Sequence, residues 1–100
     1  MTKKIKIVRG SGNVFRDLDE ADADVKQAKA LLAAEIIRIL EKEKFSVRKA
    51  EKVTGYAYAD FSRIRNADLN RFTIDKLMMI VNSLNRRIKI QFKFTKRTAA

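Results

Sequence analysis

The chain has 100 residues, enough for one domain with a single small core, and carries 23 Lys and Arg against 12 Asp and Glu, a net charge of +11. That balance favours a polyanionic partner, either nucleic acid or an anionic membrane surface. Cysteine and histidine are both absent, which removes disulfides, Cys/His zinc sites, thiol nucleophiles and imidazole acid-base catalysis, so neither enzymatic function nor a bound cofactor or metal is expected.

Residues 1–13 read as a basic arm, with Lys3, Lys4, Lys6 and Arg9 and no acid. Ile5 and Ile7 alternate with Lys4 and Lys6, so a short edge strand is the competing reading. The start lacks a signal-peptide core, and no apolar run approaches the roughly 18 residues that span a bilayer, so a cytoplasmic protein without a membrane partner is expected. Gly10 to Asn13 form a flexible joint, and Val14, Phe15 and Leu18 then anchor the chain onto a helical body. Asp17, Asp19, Glu20, Asp22 and Asp24 suit the positive end of a helix; a patch for a basic partner is the sharper alternative.

From about Ala21 to Lys44 the spacing of Val25, Ala28, Leu32, Ile36, Ile39 and Leu40 predicts an amphipathic helix. Leu31 and Ile37 widen its apolar face, which implies more than one packing neighbour. The stretch from Phe45 to Asn66 then reads as two short helices around a tight turn. Ser46 can cap the first helix, and Ala50 and Val53 lie along its packed face. Gly55 can take the positive φ of the turn and Tyr56 can plug it, while Phe61 and Ile64 hold the second helix to the core. This is the outline of a helix-turn-helix, a unit that sets its second helix in the DNA major groove.

On that reading Tyr58, Ala59, Ser62 and Arg63 face bases, Arg63 best of all because a guanidinium matches the O6 and N7 acceptors of guanine. Arg48, Lys49, Lys52 and Arg65 serve phosphates. Asp60 would face DNA repulsively unless it turns aside or accepts from a cytosine amine.

Ala67 to Arg71 read as a loop, and Thr73 caps a helix running to about Asn85 with Ile74, Leu77, Met78, Val81 and Leu84 as its buried stripe. Asp75 suits the positive end of that helix. From Ile88 to Phe94 the period changes to two, with Ile88, Ile90, Phe92 and Phe94 alternating with Lys89, Gln91 and Lys93, so a half-buried strand is expected. Its partner is either residues 4 to 8 of the same chain or the same strand of a second copy, which would put Ile88, Ile90 and Phe92 in an isologous dimer interface. Residues 95–100 read as a frayed tail, and residues 14–94 as the domain.

These residues also carry a resemblance. GSGNVF (Gly10 to Phe15), AKALLAAEIIRIL (Ala28 to Leu40), AEKVTG (Ala50 to Gly55), FSRI (Phe61 to Ile64) and RFTIDKL (Arg71 to Leu77) resemble the Xre-type helix-turn-helix proteins of the HigA antitoxin class. The resemblance implies a mainly α fold: a five-helix, lambda-repressor-like domain, to which the C-terminal β-strand is added here. It implies a bacterial homodimer on a palindromic operator of double-stranded DNA, often its own promoter, and in many relatives a RelE-like toxin as protein partner. Asn66 matches a position that commonly bonds phosphate. Departures are Val47, where relatives often carry a phosphate-linking Gln, and Ala57-Tyr58, where they often carry Ser-Gln. The alternative is a protein-binding module that neutralises a partner toxin with little specific DNA binding.

Overall fold

A computed structural model describes residues 14–96, with side chains from residue 20 onward. The basic arm at residues 1–13 and the end of the tail, residues 97–100, lie outside the described residues, as do the side chains of Val14, Phe15 and Leu18. Four helices are present among the described residues: α1 (Val14–Glu43), α2 (Val47–Thr54), α3 (Tyr58–Arg65) and α4 (Ile74–Leu84). Among the described residues the expectation of five helices and a closing strand is therefore corrected to four helices and no strand. Residues 88–94 alternate with a period of two, which no helix can bury on one side, and among the described residues they pair with no other segment and take no strand assignment.

Helix α1 starts seven residues before the expected Ala21, so Asp17, Asp19 and Glu20 lie in its first turns. Its C-terminal half packs on α4 and α3, and α2 rests on α3 and α4. Ala33, Ile36, Ile39 and Leu40 of α1 meet Ala50 of α2, Phe61 and Ile64 of α3, Phe72 of the following loop, and Leu77, Ile80 and Val81 of α4 in one buried cluster. No described buried side-chain nitrogen or oxygen lacks a hydrogen-bond partner.

Two sequence expectations about packing fail for geometric reasons. Val25 continues the core stripe of α1 yet is 41% exposed, lining an open recess with Ala67, Leu69 and Asn70 of the loop after α3; Leu31, 65% exposed, lies on the opposite side. Val53, 47% exposed, does not share the packed face of Ala50. With roughly 100° per residue the arc that faces the core runs through Val47, Ala50 and Thr54, and Val53 falls outside it.

Helix ends are built by local hydrogen bonds. Ser46 Oγ accepts from the Lys49 amide at 3.1 Å, and Thr73 Oγ1 from the Lys76 amide at 3.2 Å, as the caps expected at both positions. A hydrogen bond from Thr73 holds the Asp75 carboxyl below the usual carboxylate range, which keeps it negative at the helix start. The C-termini of α1 and α3 each close with a paired motif: Phe45 N–H donates to Leu40 O and Lys44 N–H to Glu41 O, while Asp68 N–H donates to Arg63 O and Ala67 N–H to Ile64 O. Both motifs need a residue in the left-handed region, and both use a residue with a Cβ, Lys44 and Ala67, each at φ 59.

A Cβ in that region raises the folded state's energy relative to glycine. Lys44→Gly is therefore expected to stabilise the fold by about 1 kcal/mol, read as a higher urea midpoint at unchanged slope. An unchanged or lower midpoint would contradict the strain assigned to Lys44.

Candidate nucleic-acid interface

Helices α2 and α3 flank a three-residue turn, Gly55 to Ala57. Gly55 takes φ +86, and its amide donates to Glu51 O at 2.7 Å, which ends α2. An added Cβ there would meet nothing within 4 Å, so the position calls for glycine through backbone conformation alone. Thr54 fixes the turn from the other side: its hydroxyl donates to Ala50 O at 2.8 Å and accepts from the Tyr56 amide at 3.1 Å. Sequence reasoning passed over Thr54; a Thr directly before a helix-ending Gly was the available signal. Tyr56 is half-buried against the core, in the plugging role expected for it.

Phe61 and Ile64 are wholly buried and hold α3 by one side. At roughly 100° per residue this directs Tyr58, Ala59, Ser62, Arg63 and Asn66 to the other side. Tyr58 and Asn66 are exposed, while Ala59, Ser62 and Arg63 are half-buried at its margin. The Arg48 guanidinium stacks over the Tyr58 ring at 4.4 Å from its centroid, which joins the first turn of α2 to the first turn of α3. Lys49 and Lys52 are exposed on α2. Arg65 is placed differently: it donates from Nη2 to Phe45 O at 2.9 Å, tying α3 to the junction of α1 and α2.

Asp60 turns aside, the first of the two alternatives that the sequence left open for it. Its side chain is 16% exposed; Oδ1 lies 3.3 Å from Arg63 Nη1 and Oδ2 lies 3.2 Å from Lys76 Nζ of α4. Lys76 in turn sits 5.7 Å from the centroid of the Phe72 ring and 6.0 Å from that of Tyr56. Lys76 and Phe72 were not singled out by sequence, because a Lys three residues after a Thr cap reads as an ordinary solvated side chain.

The departures at Val47 and Ala57 have visible consequences. Val47 packs against the core and offers no polar atom to a ligand. Ala57 stands at the start of α3 with extended backbone and no side-chain cap. Of the residues expected at a dimer interface, Ile88 and Ile90 lie half-buried against the chain's own core, whereas Phe92 is 62% exposed.

No group of three or more Asp and Glu among the described residues could hold a metal ion, and no described helix is long and apolar enough to cross a membrane. Comparison with family models gives a match over residues 14–93 to a family described as a helix-turn-helix domain. No curated protein and no solved structure matches the chain.

The bare start of α3 generates a prediction. Ala57→Ser supplies a hydroxyl at a position whose φ of −60 and ψ of 142 already suit a cap. It is expected to raise stability by about 1 kcal/mol in urea unfolding, and no gain would show that the start of α3 is satisfied in another way.

Proposed function

Because the chain belongs to the helix-turn-helix domain family, whose model covers residues 14–93, we propose that it is a sequence-specific DNA-binding transcriptional regulator that acts through α3. The observation that carries this reading is the outer side of α3, where Tyr58, Ala59, Ser62 and Arg63 lie together and Arg48 is stacked onto Tyr58. Side chains at the start of such a helix meet base edges in the major groove, while cations beside it meet phosphates. Arg48, Lys49, Lys52 and Asn66 take the phosphate role, with Arg65 adding to it from the N–H groups that Phe45 does not use.

Within this proposal the regulator is a homodimer that reads a palindromic operator, and it is the antitoxin and autorepressor of a toxin-antitoxin pair. The antitoxin role rests on the resemblance to the HigA class. The dimer is supported by the C-terminal segment: Phe92 and Phe94, 62% and 94% exposed, alternate with Lys89, Gln91 and Lys93 in a segment that pairs with no other described residues. Such a segment offers backbone groups and one apolar side to a second copy. The competing reading, a module that caps a toxin without specific DNA binding, draws on the missing polar atom at Val47 and the bare start of α3.

Selection from a pool of randomised duplexes separates the two. A regulator enriches a discrete motif at physiological salt, and its affinity for that motif falls by roughly a thousandfold between 50 and 200 mM salt if about six phosphates are contacted. A pool that stays random would sink the proposal. For the dimer, sedimentation should give twice the monomer mass, and the double substitution Phe92→Asp, Phe94→Asp should return the monomer with the helical signal intact. A wild-type monomer at micromolar concentration would exclude it.

A further inference from the structure

We propose that Asp60 is a specificity-setting positioning residue: its two ion pairs fix the Arg63 guanidinium at the groove-facing side of α3, and so set the base preference at that contact. The proposal rests on the DNA-reading role given to α3 above. A carboxylate on a DNA-reading helix is expected to repel phosphate, yet here it is shared between two cations, and Asp60, Arg63 and Lys76 together carry a charge of +1.

The geometry divides the work among the three residues. Asp60 uses one oxygen for each partner, so holding Lys76 does not compete with holding Arg63. Lys76 comes from a different helix, its amide is engaged by Thr73, and its ammonium lies near both the Phe72 and Tyr56 rings. The anchor is therefore built on α4 and does not move with α3. Arg63 is one turn along from Asp60 and is contacted through a single nitrogen, Nη1.

Of the five N–H donors of a guanidinium, the remainder stay available for a base edge. Reading guanine needs two parallel donors at a set angle, and a free arginine must give up rotamer freedom to supply them. An arginine held before binding has given up much of that freedom already. It also stays in a register where a base lacking the O6 and N7 acceptor pair cannot satisfy it. Lysine at position 63 could keep the ion pair but not the fork.

The test is selection from randomised duplexes with the full chain, comparing wild type, Asp60→Asn and Arg63→Lys, each checked for its helical signal. Wild type should enrich guanine at one motif position. Asp60→Asn should lose discrimination there by roughly tenfold or more, and should bind random duplex at least as tightly at low salt, since a negative charge has gone. Arg63→Lys should lose the same guanine preference. If Asp60 serves only to tie α3 to α4, Asp60→Asn will lower stability and leave the preference unchanged, which overturns the proposal; an unchanged preference in Arg63→Lys overturns it as well. Should Asp60→Asn fail to fold, the double substitution Asp60→Asn, Lys76→Met removes the carboxylate together with the ammonium it would leave unpaired, and an unchanged preference in that variant is equally decisive. If wild type itself enriches no motif, it is the DNA-reading proposal that fails first.

Discussion

Everything the surface of this domain can do depends on the burial of Phe61 and Ile64. These two side chains, a single turn apart on α3, are sealed among residues of α1, α2 and α4, and they fix both the depth and the rotation of a helix of only eight residues. A helix that short is not stable alone in water, so tertiary packing determines it. Shift either residue by one position and the outer side would no longer present Tyr58, Ala59, Ser62 and Arg63 together.

Above that apolar layer lies a thin polar one that corrects the position of α3 at its flanks. On one side Asp60 reaches Lys76 of α4; on the other Arg65 reaches the carbonyl of Phe45. Both links are partly exposed, and each contributes little energy alone. Their value is geometric, since they bind the two edges of α3 to different elements and so resist its rolling over the core. Arg48 on Tyr58 then adds a third link, at the end of α3 where the turn leaves it without a side-chain cap.

The sequence was most informative where a residue type answers one physical demand. Ser46 and Thr73 accept amide hydrogens, Gly55 takes a positive φ, and the spacing of Ile36, Ile39 and Leu40 fits a buried helical stripe; all four features are found where they were expected. It was least informative where the outcome depends on a neighbour from elsewhere in the chain. Asp60 and Lys76 are 16 residues apart, and neither residue alone reveals the other. Lys44 and Ala67 take a left-handed conformation that residue type argues against, and only the hydrogen bonds closing α1 and α3 explain it. The segment from Ile88 to Phe94 has the period of a strand but no partner among the described residues, and a strand is a property of pairs. On α1 the apolar stripe was visible, but where its neighbours stop was not.

That last feature has a hydrodynamic side. Helix α1, with 30 residues, runs for roughly 45 Å, and the described residues span 49 × 24 × 21 Å. Such a body tumbles end over end more slowly than it spins about its length. Amide N–H bonds that lie along the long axis relax by end-over-end motion, whereas bonds inclined to it also sense the faster spin. The long helix thus gives the monomer an anisotropic rotational signature, against which any change of shape on association can be measured in solution.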